Sequence, residues 1–318
     1  MQKFIKKSSI LIFVVSFIMS LIVAFSHFIV GSQYENLYPA SLIDKVNRLK
    51  NIDEPKIILV GNSNVAFGIC SERIEEALGM PVVNLGLHGD LGNAYHEQIA
   101  KLNINEGDIV VVCHCSFSDE DKIVDNQLAW VTYDYHEELW PIIRVKDYPG
   151  MLSAYPTYII DSFLLWLTGQ GNIAPEGCYS REAFNEYGDV NYKPEYNQMN
   201  VDDFFRQYNL EIPKINNVCI DRLNELNQYC INQGATLVVA GYPIAYGEYS
   251  EYTERDFIDF QEELKKELDC DVISDYTDYF FPYRYFYDTA FHLNEEGTEV
   301  RTNQLISDLN MWMNESAE

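Results

Sequence analysis

Positive charge is scarce in this chain. Its 318 residues carry 22 Lys and Arg against 49 Asp and Glu, a formal net charge of −27. Nucleic-acid binding needs a basic patch, so a nucleic-acid partner is not expected. Metal binding has little footing either. Cys113-His114-Cys115 is a dense group of ligand types, but a closed site needs a second cluster and the sequence offers none. The seven cysteines are odd in number and scattered. That is no disulfide framework, and it fits small buried residues better. Internal repeats and low-complexity tracts are also missing. What remains is a globular composition, 47% hydrophobic, with enough apolar residues for a sizeable core. The acidic surplus keeps such a domain soluble and suits neutral or cationic partners. The 23 tyrosines can line a carbohydrate groove or serve as core and rim; composition does not separate the two.

A different absence marks the N-terminus. From Ser8 to Val30 there is no Asp, Glu, Lys or Arg. At about 1.5 Å per residue, a helix of that length crosses the hydrocarbon core of a bilayer. Lys3, Lys6 and Lys7 precede it and Glu35 follows, which places the N-terminus in the cytoplasm and the rest outside. A cleaved signal peptide is the alternative. The apolar region is long for one, and no small-x-small site precedes Gly31. His27 near the outer end reads as interfacial. The expected organisation is a cytoplasmic tip and anchor over 1–31, a linker over 32–54 and an α/β domain over 55–318.

Within the linker, 40–50 suits a short helix. Ile57–Val60 is an apolar run that stops at Gly61-Asn62-Ser63-Asn64, which reads as a buried strand ending in a sharp turn. Ser71 is a candidate cap for a helix to Leu78, with Gly79 ending it. Pro81–Asn84 is a second strand, 91–102 a helix and Ile109–Cys113 a third strand. Strand and helix alternating at this spacing signal a parallel sheet with helices on its faces. The pattern breaks over about 116–215, an insertion after the third strand. Inside it 134–149 is loop-like, and 169–197 is a long loop of the kind that forms lids or substrate walls. The apolar run 158–167 is too short to span a bilayer and carries Asp161. It is expected to pack on the core, the alternative being a helix dipping into the outer leaflet. Regular order returns at Asn216, with a helix facing inward through Val218, Leu223, Leu226 and Cys230 and ended by Gly234. Thr236–Ala240 and Asp271–Ser274 are strands. Between them Thr253 starts a helix with Phe257, Phe260, Leu264 and Leu268 inward. Asn294 caps the last helix, which turns Val300, Leu305, Leu309 and Trp312 toward the core.

Three residues carry the chemistry that the sequence suggests. Ser63 is presented at the carboxyl end of a strand, where ligands bind in open α/β sheets. A serine needs a base to take its proton, and histidine titrates near neutral pH. Asp288 and His292 stand in one short polar segment before the last helix, and a carboxylate can fix the imidazole's tautomer. An oxyanion hole needs backbone N–H groups or amides. Gly86, Gly89, Ser63, Asn62, Asn64 and Asn84 are candidates, with Gly89, Asn64 and Asn84 preferred. The bland alternatives are that Ser63 is a turn residue and that His292 is bonded to backbone. His88 and His114 are candidates to face substrate, the plainer reading of His88 being an exposed loop residue. His96 and His136 have no supporting pattern.

These residues, in this order, resemble the SGNH or GDSL-like hydrolase superfamily. More narrowly the chain is similar to its membrane-anchored bacterial branch, which includes teichoic-acid D-alanyl transfer proteins and polysaccharide O-acetyltransferases. Gly61-Asn62-Ser63 matches the nucleophile block with Asn for Asp. Asn84-Leu85-Gly86-Leu87-His88-Gly89 resembles the second block, and Asp288 with His292 the last. The resemblance covers about 55–115 and 235–310 and implies a three-layer, flavodoxin-like α/β fold. It also implies a Ser-His-Asp esterase or O-acyltransferase without cofactor. The substrate would be a small acyl ester or a cell-envelope or secreted glycan, the group moved most often acetyl. A multi-spanning membrane acyltransferase is the implied partner. Two departures stand out. Cys113-His-Cys-Ser-Phe117 replaces the Gly-x-Asn-Asp of the third block, and Asp288 lies four residues before His292 rather than three. A catalytically inactive member that binds glycan or assembles an envelope system is the alternative reading.

Overall fold

The structure is a computed structural model that describes residues 2–134, 136–191, 200–207, 212, 214–247, 250 and 252–316. Helix α1 (Gln2–Phe25) continues as a wider π turn, Ser26–Val30, and the chain turns at Gly31, whose φ is +68°. The segment from Lys3 to Val30 is long and apolar enough to cross a membrane. Helix α2 (Ser41–Asn51) then leads to strand β1 (Ile57–Val60), helix α3 (Ser63–Gly68), helix α4 (Ser71–Leu78) and strand β2 (Val82–Asn84). Helix α5 (Asn93–Ala100) and strand β3 (Ile109–Val112) complete the first half.

The insertion holds helix α6 (Asn126–Tyr133), 3-10 turns at Glu137–Ile142 and Val145–Asp147, and helices α7 (Tyr148–Thr168) and α8 (Val201–Gln207). The stretch read as loop over 134–149 is thus partly helical. The apolar run 158–167 is helical throughout, as expected, but belongs to a helix that starts ten residues earlier. The expected loop 169–197 is described only to 191 and carries two short 3-10 turns, Gly177–Tyr179 and Arg181–Ala183. Helix α9 (Asn217–Gln233), strand β4 (Thr236–Val239), strand β5 (Ile244–Ala245), helix α10 (Glu254–Glu267), strand β6 (Asp271–Val272), strand β7 (Phe280–Phe281) and helix α11 (Glu295–Ser316) follow.

Five strands form a parallel sheet in the order β2-β1-β3-β4-β6, and β5 pairs with β7 in a separate parallel pair that no sequence pattern foretold. The main sheet is buried on both faces, as runs such as Ile57–Val60 and Ile109–Val112 require. Ile58, Val60, Val110 and Val112 enter the larger core with α2, α5, α9 and α10. Ile57, Leu59, Ile109 and Val111 enter the smaller one with Val65, Ile74, Leu305 and Leu309. The order places β1 between β2 and β3, so the β1 exit lies inside the sheet edge, beside the exits of both neighbours.

Caps follow the sequence in most places. Asn216 accepts from Cys219 N, Thr253 and Asp256 form a reciprocal capping box, and Gly79 and Gly234 close their helices in the left-handed region. Ser71 departs from expectation. It is the first helical residue, and its N–H and hydroxyl both bind the Asp189 carboxylate at 2.8 and 2.6 Å. Val218 is 50% exposed and Val300 36% exposed, so neither faces the core. Each sits on the border of its helix's apolar arc, while Ile220, Leu223, Leu226 and Leu305 occupy its centre.

Candidate active site

Ser63 is the first residue of α3, directly beyond the turn that ends β1. The turn is built by Asn62, whose Oδ1 accepts from Asn64 N at 2.9 Å and from Asn64 Nδ2 at 2.7 Å. Gly61 belongs there for lack of space, since a β-carbon would stand 2.5 Å from Val65 Cγ2 and 3.1 Å from Cys113 O. The result is a half-buried serine at the carboxyl edge of the sheet. Among the described residues its hydroxyl has no hydrogen-bond partner.

Asp288 and His292 occupy one tight loop. Phe286 bridges Leu293 in antiparallel fashion, Tyr287 N donates to His292 O at 2.8 Å, and Thr289 Oγ1 accepts from His292 N at 3.0 Å. The hairpin absorbs the four-residue spacing and sets His292 Nδ1 2.8 Å from Asp288 Oδ1. The imidazole is 6% exposed and lies flat on the Phe67 ring, centroids 4.0 Å apart and planes 7° apart. Phe67 follows Ser63 by one helical turn on the same face of α3, and helical side chains lean toward the N-terminus. That stacking docks the histidine loop on α3, the short helix that Ser63 begins. Helix α11 locks the approach: Thr298 Oγ1 donates to Phe67 O at 3.1 Å, and Arg301 Nη2 donates to Asn64 Oδ1 at 2.8 Å.

Burial raises the pKa of Asp288, but the hydrogen bond and charge of His292, helped by the Tyr179 hydroxyl, outweigh it. The carboxyl is held below its usual range and is ionised at neutral pH. Tyr179 donates to Asp288 Oδ2. Burial and then that carboxylate hold the phenol in its protonated form, raising its pKa. Tyr179 also lies 5.8 Å from the Phe67 ring and 6.2 Å from Tyr38. Tyr38 in turn meets His88 edge-on at 6.1 Å. An aromatic wall from the linker and the insertion thus runs beside the loop. Nothing in the irregular sequence around Tyr179 or Tyr38 signals this role, and the spacing of four between Ser63 and Phe67 gains meaning only once 63–68 is seen to be helical.

The proposed oxyanion donors divide. Gly89 lies against the Asn62 amide, where a β-carbon would stand 3.7 Å from Asn62 Nδ2. The backbone N–H groups of Ser63 and Gly89 find no acceptor among the described residues. Asn64 and Asn84 do not fit the role, because both are fully buried with both amide protons given away. Asn64 Nδ2 donates to Asn62 Oδ1 and Cys113 O, and Asn84 Nδ2 to Val65 O and Asp189 Oδ1. Gly86 N–H is likewise spent on Asn84 Oδ1. Asn62 Nδ2, donated to Cys115 Sγ at 2.9 Å, is the side-chain amide that stays near Gly89. His88 is half-exposed, with Nδ1 accepting from Asp90 N. His114 corrects its expectation. It is fully buried, 3.0 Å from Glu97 Oε1, in a network that continues through Arg222 to Asp119. It joins helices to the sheet and does not face substrate. Among the described residues no group of three His, Cys, Asp or Glu is placed to hold a metal ion.

The candidate site therefore gathers a serine hydroxyl without a partner among the described residues, a carboxylate-paired imidazole stacked on Phe67, one helical turn beyond Ser63 on α3, and two unspent backbone N–H groups at Ser63 and Gly89. No family model, curated protein or solved structure matches the chain.

Proposed function

We propose that the chain is a membrane-anchored, extracytoplasmic serine esterase or O-acyltransferase with an SGNH-like three-layer fold. The observation that carries this reading is the stacking of His292 on Phe67 with Nδ1 on Asp288. That bond keeps the proton on Nδ1, so Nε2 holds the lone pair a general base needs. Nε2 takes the Ser63 proton as Oγ attacks the acyl carbonyl. The carbonyl electrons move to oxygen, which the Ser63 and Gly89 N–H groups stabilise. The C–O bond of the ester then breaks, and His292 returns its proton to the departing alkoxide. Water or a sugar hydroxyl resolves the acyl-serine by the same steps reversed. The acidic surface and aromatic wall suit a neutral glycan acceptor on the cell envelope, with acetyl as the group moved. A multi-spanning acyltransferase would deliver the acyl group across the membrane.

The test is direct. Full-length protein in detergent is mixed with an activated acetyl ester and digested, and Ser63 is examined by mass spectrometry for a gain of one acetyl. Acetylation of wild type that Ser63→Ala abolishes supports the reading. Hydrolysis undiminished in Ser63→Ala overturns it, and a folded wild type with neither acylation nor turnover favours a non-catalytic glycan-binding component.

A further inference from the structure

A cavity of about 680 Å³ lies between the outer part of α1 and the insertion. Met19, Val23 and Phe28 form one wall, and Trp140, Leu152 and Tyr155 part of the other. Glu137 is its one carboxylate. The junction that shapes it is firmly built. Asp134 is buried and accepts from the backbone N–H groups of Gln33 and Tyr34 at 3.1 and 2.8 Å and from the Ser32 hydroxyl. Its other oxygen accepts from Tyr158 on α7 at 2.9 Å. Phe25 packs on Phe163 and, edge-on, on Trp166 at 6.3 and 6.1 Å. The exit of the anchor is thus bolted to α7 at both ends of the contact.

Helix α7 has an unusual outer face. Leu152, Ile160, Leu164 and Leu167 are 68%, 57%, 49% and 62% exposed and share one side, opposite buried Met151, Tyr158 and Ser162. Asp161 is the helix's one charged residue, and it accepts from Gln127 Nε2 at 2.6 Å. A stripe this long with no outward charge is not a water-facing surface. The depth of the cavity names the medium. With Val30 at the outer boundary, Met19, eleven residues earlier and about 16 Å lower along the helix, reaches the midplane of a hydrocarbon core about 30 Å thick, and Val23 and Phe28 fall within its outer half. Most of the lining at that depth is apolar, so an acyl chain fills the groove better than water, which would find polar partners only at side chains such as Ser20, His27 and Glu137.

We propose that this groove holds an acyl chain of an outer-leaflet phospholipid, with α7 lying in the same leaflet. The inference rests on α1 being an anchor. Lipid in the groove completes the packing between anchor and insertion and fixes the tilt at which the Ser63 edge meets the envelope.

The test uses full-length protein in phosphatidylcholine vesicles containing a trace of phosphatidylcholine with a diazirine in its acyl chain. After irradiation, adducts are mapped by peptide mass spectrometry. Adducts on the peptides of Trp140, Leu152 and Tyr155, besides those on α1, are expected. Leu152→Glu should reduce the groove adducts at least about ten-fold, because a carboxylate at that depth is costly, and leave α1 adducts unchanged. Leu152 is exposed, so the variant should fold, which far-UV circular dichroism verifies. Retention in the membrane under alkaline carbonate checks the anchor separately. A retained protein labelled on α1 but not in the groove overturns the groove alone, and so does a folded Leu152→Glu that keeps its groove adducts. A protein released by carbonate overturns the anchor and the groove together.

Discussion

His292 Nδ1 and Asp288 Oδ1 lie 2.8 Å apart at the two feet of one hairpin loop, and the imidazole rests flat on Phe67. The bond fixes which ring nitrogen carries the proton. Asp288→Asn keeps the shape but lets an amide N–H face Nδ1 and reverse the tautomer. Turnover of an activated acetyl ester should fall about 10³–10⁴-fold, read from initial rates, with the far-UV spectrum unchanged; a loss under ten-fold would remove Asp288 from the mechanism. The pair also has a pH signature. The folded pKa of Asp288 lies below the unfolded value, so its stabilising contribution is present above the unfolded pKa of about 3.9 and is lost as pH falls through the folded one. The difference in melting temperature between wild type and Asp288→Asn should therefore be visible at pH 5–7 and fade below about pH 4.

Tyr179 offers a finer test, since it reaches Asp288 from the insertion. Tyr179→Phe keeps the ring against Phe67 and removes one donor to the carboxylate. Loss of that donor raises the Asp288 pKa, so the acid limb of the stability curve, where the Asp288 contribution fades, should begin at a higher pH than in wild type, read from melting temperatures. At neutral pH the carboxylate remains ionised and the rate should fall only about ten-fold or less. An acid limb that does not move would mean that Tyr179 packs on the loop without tuning it.

The sheet and the site were legible to different degrees, for physical reasons. Ile57–Val60, Ile109–Val112 and Thr236–Val239 stand out because strands buried on both faces need unbroken apolar runs. Asp288 and His292 are readable as a pair because both fall within one short segment. Helix α3 is not readable, since six residues hold less than two turns of periodicity. Asn64 and Asn84 mislead for another reason. An amide beside a nucleophile looks like an oxyanion donor until the acceptors of its protons are known, and two of those, Cys113 O for Asn64 and the Asp189 carboxylate for Asn84, lie 49 and 105 residues away in the chain. His114 misleads likewise, because alternation with Cys113 and Cys115 gives the strand face but not the Glu97 that closes it off.

Arg301 bears on stability through that same Asn64. Its guanidinium is fully buried and donates to Asn64 O and Oδ1, with Gly241 O at 3.5 Å. Burial lowers its pKa, against the pull of nearby thiols and Tyr279. Arg301→Met fills much of the volume but strips Asn64 of its donors, at about 1–3 kcal/mol for each buried acceptor left unsatisfied. Denaturant unfolding should show a lower midpoint with an unchanged slope. Ester turnover should fall with it even under conditions where the variant is folded, since Asn64 shapes the turn that presents Ser63. A variant as stable as wild type would show that water replaces the guanidinium.

Lys45 gives the stability curve an alkaline feature. The side chain is 1% exposed, and its ammonium donates to Asn84 O at 3.0 Å and to Gly188 O, tying β2 to the insertion. Burial pushes its pKa down to about 7, with Asp189 and Asp44 opposing. Here the folded pKa lies below the unfolded one, and the group is a base. Between pH 7 and about 10 the unfolded chain binds more protons at this site, so stability rises with pH, by about 1.4 kcal/mol per unit at most. Buried thiols oppose it at higher pH. Burial pushes Cys113 up to about 11 and Cys230 up to about 12. Their contribution is complete below an unfolded thiol pKa of about 8.5 and is lost as pH climbs through the folded values. Urea unfolding of the full chain under reducing conditions should thus show stability rising from pH 7, cresting near pH 9 and falling beyond. Lys45→Met should flatten the rise, whatever its effect on the baseline, and Cys230→Ala should soften the fall. A rise that persists in Lys45→Met would assign it to another group and leave Lys45 charged in the folded protein.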